Sequence, residues 1–406
     1  MSQEAVGRRA FLKGAAGGVL GSAGLMAGMP AFAMDFDAAH VIHEVAEPGQ
    51  DAEAKPKHSV KFAVCGISHD HIYGMVGAIQ RGGGVLVSAY GAEPDKVAAF
   101  KKRFPDVTMV ASEDAVLNDP SIQLVLSSTI PDQRAGLGVR VMKKGKDYLS
   151  DKPGLTSLEQ LAEVKRTIAE TKRIYGILYS ERFEVKAAVK AGELVKAGAI
   201  GRVIQTINIA PHQIFQPVRN GEAYAGGAGQ RPDWFWDTSR YGGILNDIGS
   251  HQVDQFLYYT GSTEAEVVAS QVANVKHRDH PKFQDFGDMM LRGDRGFGYV
   301  RLDWFTPDGL GTWGDGRLFI LGTDGYIEVR KYTDVAREKK GNNLFIVDKA
   351  QARYIDCNNV PLPFGPQFVS DVVNRTHTAQ DQTQALLAAE LVVRAQMKAV
   401  TVTLKG

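Results

Sequence analysis

Between Val60 and Leu149 short apolar runs alternate with stretches of helical periodicity, and this cadence confines the chain to a parallel sheet covered by helices. Val60 to Cys65 reads as a strand closed by Gly66, and Ile72 to Arg81 as a helix running into Gly82-Gly83-Gly84. Next come a strand at Val85 to Tyr90, a helix at Asp95 to Phe104 and a strand at Thr108 to Ala111. A further strand at Leu124 to Ser127 follows the Asn118-Asp119-Pro120 turn. Parallel neighbours need a crossover between them, and the intervening helices supply it, so an α/β domain with a doubly wound parallel sheet is expected. Ligands of such sheets bind beyond the carboxyl ends of the strands. The loops after Cys65, Ser127 and Leu149 are therefore where chemistry is sought.

The chain has 406 residues. Gly7-Arg8-Arg9-Ala10-Phe11-Leu12-Lys13, an apolar stretch to about Met29 and Ala31-Phe32-Ala33 have the pattern of a twin-arginine export signal over residues 1–33 with a small-residue cleavage site. About 16 glycine-broken apolar residues fall short of the roughly 20 that span a bilayer, so cleavage near Met34 is expected, with no stable membrane anchor. The expected destination is the periplasm or cell envelope, reached in the folded state. Residues 34–58, rich in Asp, Glu, Pro and Lys, read as a linker. The remaining length, about 370 residues, exceeds what one core usually organises and calls for two domains, over 59–180 and 181–406. With 47 basic and 46 acidic residues the formal net charge is +1, which leaves no electrostatic footprint for nucleic acid. The two cysteines, Cys65 and Cys357, are too few for a disulfide framework.

The first loop departs from the dinucleotide-binding fingerprint G-x-G-x-x-G, whose glycines let a pyrophosphate approach a helix N-terminus. Here it reads Gly66-Ile67-Ser68-His69-Asp70-His71, with Ser68 and His71 at the second and third glycine positions. The acid that normally holds the ribose hydroxyls is replaced by Gly91, and Glu93 lies two positions later. Gly66, Ser68, His69, His71, Glu93, Ser127 and Ser128 are the candidate cofactor contacts. His69-Asp70-His71 also has the residue types of a metal site, a loop capping the next helix fits at least as well, an acid–base role for His69 or His71 beside the cofactor is the intermediate reading, and no metal is assigned.

The second half carries the denser signal. Tyr148-Leu149-Ser150 leads into Asp151-Lys152-Pro153-Gly154, with Ser157 placed to cap a helix from Leu158. Tyr179-Ser180-Glu181-Arg182-Phe183 and Ala197-Gly198-Ala199-Ile200-Gly201-Arg202-Val203 follow. Then Gly242-Gly243-Ile244-Leu245-Asn246-Asp247 continues to His251, and a four-residue spacing puts Asp247 and His251 on one helix face. A histidine is a competent proton acceptor for carbinol oxidation, and a lysine stabilises negative charge developing on oxygen.

This constellation resembles the Gfo/Idh/MocA oxidoreductases, named for glucose-fructose oxidoreductase, inositol dehydrogenase and a rhizopine-catabolism protein. The E-K-P-like Asp151-Lys152-Pro153, the segment Ala197 to Val203 and the Gly-Gly, Asp, His run carry the likeness. So do Gly322-Thr323-Asp324-Gly325-Tyr326-Ile327 and an Ala/Leu/Val-rich helix from about Thr383 to Val400. The resemblance implies a Rossmann domain followed by an α/β domain with a large, mostly antiparallel open sheet that often forms the oligomer interface. It implies Lys152 bridging cofactor and substrate, His251 as general base, and Asp247 orienting the substrate or the imidazole. It also implies a sugar or polyol substrate, and a dimer or tetramer. Asp151, shorter than the family's glutamate, is expected to shape the turn before proline.

Export adds a constraint, because free nicotinamide cofactor is cytoplasmic. NAD or NADP is therefore expected to be tightly bound and regenerated in place, by coupling two sugars or by transient oxidation that eliminates a glycosidic bond. Tyr179, Arg182 and His212 are candidate substrate contacts by their place near strand ends. Trp234 and Trp236 offer faces for a sugar ring, with core packing or a subunit contact as the other reading. A degenerate cofactor site on a carbohydrate-binding or metal-dependent lyase-like protein is the second functional expectation.

Overall fold

The computed structural model describes residues 41–47, 56–214, 231–337 and 340–405. The export signal over 1–33 lies outside the described residues.

Six strands form an all-parallel sheet in the order Thr108–Met109, Gly84–Tyr90, Val60–Cys65, Leu124–Ser127, Asp147–Asp151, Tyr175–Leu178. The order reverses at Val60–Cys65, which is the switch point of a doubly wound sheet and opens a crevice at the carboxyl ends of this strand and Leu124–Ser127. Strands in the middle are buried on both faces: Leu124–Ser127 is an apolar or small run buried along its whole length, and Asp147–Asp151 is equally buried with a carboxylate at each end. The expected helix at Leu158 begins there, with Ser157 Oγ accepting from the Gln160 amide at 3.2 Å.

Ten strands form the second sheet, in the order Ile42–Val45, Ala352–Asp356, Asn343–Val347, Tyr326–Arg330, Arg317–Gly322, Val203–Pro211, Phe297–Asp303, Phe286–Gly293, Ala265–Ala273, Val400–Thr401. Six of its nine pairings are antiparallel. Alternate side chains along these strands are buried beneath the helices Lys186–Lys196 and Gly249–Thr260. The opposite face leaves Val268, Met290, Phe297, Leu321 and Tyr326 exposed.

Two expectations are corrected here. Part of the predicted linker is structured, since Ile42–Val45 pairs in parallel with Ala352–Asp356 at the sheet edge. The C-terminal segment also returns to the first domain. Helix Phe364–Asn374 packs on helix His71–Arg81, and the Gln380 side chain takes both the amide (3.0 Å) and the carbonyl (2.8 Å) of Ile177 on the edge strand. An unpaired edge is satisfied by an amide side chain from 203 residues away.

Candidate active site at the carboxyl edge of the parallel sheet

The loop after Val60–Cys65 turns at Gly66, whose φ of +90° and close approach to Thr129 exclude a side chain: a Cβ would lie 2.5 Å from Thr129 Cβ. Gly91 is likewise forced, because Ile67 packs against the place where its Cβ would project. The acid moves to Glu93, whose Oε1 accepts from Ser68 Oγ at 2.5 Å. Ser68 and Glu93 line a cleft of about 380 Å³ together with Lys96, Ile130, Trp234 and Arg240. Ser127 and Ser128 are fully buried and serve loop bonding: Ser128 Oγ donates to the His69 carbonyl at 2.7 Å, and Ser127 Oγ accepts from the Thr129 amide at 3.2 Å. Their hydroxyls shape the cradle and are not presented to a ligand, which corrects that part of the expectation.

Asp151 is a charged hub and not merely a turn residue. Its Oδ1 accepts from His71 Nδ1 at 2.8 Å and from the Lys152 amide at 2.7 Å, while Oδ2 accepts from Arg134 at 2.9 Å. Arg134 is 1 % exposed and also donates to the carbonyls of Lys152, Pro153 and Thr129. Burial pushes the Asp151 carboxyl up, but Arg134 and His71 more than offset it and hold the group well below the usual range. Burial and neighbouring His71 together depress His69. The Lys152-Pro153 peptide is cis.

This anchoring delivers Lys152, 5 % exposed, to Asp247, with Nζ 2.9 Å from Oδ1. Two successive left-handed glycines, Gly242 (φ +88°) and Gly243 (φ +85°), redirect the chain into the short helix Ile244–Asp247 that positions the carboxylate. Asp247 closes the short helix Ile244–Asp247 and His251 lies in the first turn of Gly249–Thr260, with Ile248 between them still in the right-handed helical region. Of the two orienting roles expected of it, Asp247 makes its contact with Lys152 and not with the imidazole. His251 is 2 % exposed, and its Nδ1 has no partner among the described residues. Burial holds its pKa well below the ordinary value, with nearby Glu181 opposing only in part. The imidazole is thus neutral at neutral pH and able to accept a proton.

Behind His251 lies a pair that the sequence did not single out. Lys331 Nζ donates to Glu181 Oε2 at 2.5 Å, Gln252 donates to the same oxygen at 2.9 Å, and both charged residues are at least 97 % buried. Burial raises the Glu181 carboxyl, yet Lys331 and the two histidines His251 and His212 bring it down to about 2. His212 stands edge-on to Trp304 and Trp313, at 5.3 and 4.7 Å between ring centroids, and burial lowers its pKa to about 4. Glu181 sits within a segment already quoted for its motif, whereas Lys331 follows an ordinary strand with no local signal, and Arg134 lies in the unpredicted helix Pro131–Lys143.

Three substrate candidates fall elsewhere. Arg182 is consumed by a buried bidentate pair with Asp254, at 2.5 and 2.9 Å, and is sandwiched between Phe183 and Tyr258. The Tyr179 hydroxyl donates to the Ala385 carbonyl at 3.0 Å, leaving only its ring edge toward His251. Trp236 stacks on His280 at 3.8 Å and packs on Phe283. Each satisfies packing or buried polarity and cannot offer the same group to a ligand. Trp234 does line the cleft, 6.2 Å from the His69 ring.

His69, His71 and Asp151 bring three donor atoms within 4.8 Å of one another. A dication fits them poorly: both Asp151 oxygens are already committed, and the Arg134 guanidinium stands 2.9 Å from one of them. A dinucleotide fits the cradle better, since Gly66 keeps the close backbone approach, a helix N-terminus faces the crevice, and Glu93 lines the cleft at the strand end.

A doubly wound sheet with this crevice, joined to an open mixed sheet whose neighbouring helices contribute a lysine-paired carboxylate and a buried neutral histidine, defines a nucleotide-binding oxidoreductase scaffold. Residues 60–179 match the oxidoreductase family with an NAD-binding Rossmann fold, and residues 188–328 match the GFO/IDH/MocA C-terminal domain. A crystal structure from Erwinia carotovora atroseptica SCRI1043, assigned as an oxidoreductase, is 44 % identical with a TM-score of 0.80, covering 85 % of this chain and 100 % of that one. D-xylose dehydrogenase of Paenarthrobacter nicotinovorans is 25 % identical over 34 % of this chain and 34 % of its own length. For 1,5-anhydro-D-fructose reductase of Ensifer adhaerens the identity is 25 %, over 48 % of this chain and 55 % of the relative. The chain thus spans about a third to a half of the length of these curated relatives. The protein belongs to the Gfo/Idh/MocA oxidoreductase family.

Proposed function

We propose that the protein is an NAD-dependent oxidoreductase of a sugar or polyol hydroxyl. The observation that carries this reading is the Lys152–Asp247 pair, 2.9 Å long, set beside the neutral buried His251 at the carboxyl edge of the parallel sheet. Gly66, Ser68 and the loop to His71 would hold the pyrophosphate, and Glu93 the ribose hydroxyls; a carboxylate there favours NAD over a 2′-phosphorylated cofactor. The nicotinamide, when bound, supplies the hydride acceptor and donor. His251 takes the hydroxyl proton as the C–H bond breaks, and Lys152 stabilises the developing alkoxide while Asp247 fixes the ammonium.

The twin-arginine pattern supports export to the periplasm or cell envelope with the cofactor retained. In that setting a redox-neutral cycle, sugar to sugar or oxidation followed by elimination, needs no soluble nicotinamide. The exposed apolar face of the large sheet supports a homo-oligomer formed through it; light scattering should give at least a dimer. The deciding experiment denatures the purified protein, filters it and identifies released nucleotide by mass, then follows its reduction in place by a panel of sugars. Near-stoichiometric NAD that is reduced by a sugar supports the reading. A protein that neither holds nor takes up either nucleotide refutes it.

A further inference from the structure

His71 opens the helix after the phosphate loop, where the family's fingerprint has glycine. Its Nδ1 lies 2.8 Å from Asp151 Oδ1. Asp151 is ionised, and a carboxylate only accepts, so Nδ1 donates to it and Nε2 is the ring nitrogen turned away from it. The His71 side chain is 40 % exposed while Asp151 is 2 % exposed, the arrangement of a histidine oriented from behind by a buried acid and open in front. Asp151 is itself immobilised by Arg134 and by the Lys152 amide, so the imidazole is tied to the same strand end that delivers the substrate lysine. Lys152, whose amide donates to the same Asp151 oxygen as His71, reaches Asp247 with Nζ at 2.9 Å, so the imidazole and the lysine–carboxylate pair are held from one strand end.

Oxidising a carbinol requires one proton acceptor, and His251 fills that role. A second, separately oriented imidazole has no task in that step. We propose that His71, positioned by Asp151, is a second acid–base residue that removes and returns a proton on the carbon adjacent to the carbonyl of the oxidised substrate. This rests on the sugar-oxidoreductase reading and adds to it a second proton transfer. The C–H bond breaks, its proton passes to Nε2, and the electron pair moves onto the carbonyl oxygen as an enolate stabilised by the Lys152 ammonium. The pair then either recaptures the proton, or expels an oxygen substituent at the β carbon, forming a carbon–carbon double bond. In the second case the C–O electrons leave with the oxygen, and the imidazolium gives that oxygen its proton. No external oxidant or reductant enters.

The test needs no cofactor turnover. The full-length folded protein is incubated in D₂O with 1,5-anhydro-D-fructose, a methyl 3-ketoglucoside and scyllo-inosose, and loss of the α-proton signal is followed by NMR. Wild type is expected to catalyse exchange on at least one ketone, and His71→Asn to lower the rate at least ~100-fold with an unchanged melting temperature. His71→Gln, which keeps a polar group toward Asp151, is the second variant, expected to lose exchange equally. Wild-type exchange preserved in either variant overturns the proposal, as does absence of exchange on every ketone. Exchange abolished by a chelator and restored by zinc overturns it in favour of a metal held by His69, His71 and Asp151. Reduction of the same ketones by added NADH is measured alongside: reduction without exchange sinks this proposal and leaves the oxidoreductase reading standing, whereas exchange without reduction does the reverse.

Discussion

Replacing Lys331 by Met removes the cation from a carboxylate that has nowhere else to find one. Glu181 and Lys331 are 3 % and 2 % exposed and 2.5 Å apart. A carboxyl held at about 2 rather than 4.5 corresponds to about 3 kcal/mol at pH 7, at roughly 1.4 kcal/mol per tenfold change in proton affinity. That agrees with the ~3–5 kcal/mol typical of breaking a buried pair from one side. Lys331→Met should therefore lower the melting temperature by roughly 4 to 6 °C. Lys331→Met combined with Glu181→Gln should recover most of the loss, because the double change removes both charges and keeps an oxygen for Gln252. In the wild type Glu181 has a depressed pKa, so its contribution is full above 4.5 and is lost as pH falls toward about 2. In Lys331→Met the buried carboxyl has its pKa raised instead, so the deficit is full at neutral pH and shrinks as acidification protonates it. Scanning calorimetry of wild type, Lys331→Met, Glu181→Gln and the double variant at pH 5 and pH 7.5 tests this. Losses that simply add in the double variant, or a Lys331→Met melting point equal to wild type, would refute the reasoning.

Lys152→Met should cut kcat at least ~100-fold while leaving the fold and any bound nucleotide in place; steady-state rates with circular dichroism and released nucleotide check it. Because burial depresses His251, kcat/KM should stay level from neutral pH to below the ordinary histidine value of 6.5, falling only at more acidic pH where the base at last protonates. An acid limb at or above 6.5 contradicts the assignment. Glu93→Ala should weaken NAD binding and erase discrimination against NADP, read by titration of nucleotide-free protein with each cofactor.

The parallel sheet was legible because its strands are buried on both faces and written as short apolar runs, a pattern that needs no partner to be recognised. Lys152 and His251 were legible because they lie in local motifs whose punctuation, Pro153 on one side and Gly242-Gly243 on the other, is itself conformational. The partner of Asp247 was not legible, because Lys152 reaches it across 95 residues of sequence. Arg182 and Tyr179 were misread for a related reason: a polar side chain near a strand end is equally suited to a pocket or to a buried bond, and only Asp254 and the Ala385 carbonyl decide which. The strand in the supposed linker exists because a distant edge was open to it. Local spacing thus determined the first domain and the two-domain plan, and singled out a lysine and a histidine as the candidate pair. Tertiary contact alone decided the Asp151 hub, the Glu181–Lys331 pair and the oriented His71, because burial and the arrival of a counter-charge are set by residues that are neighbours only after the chain has folded.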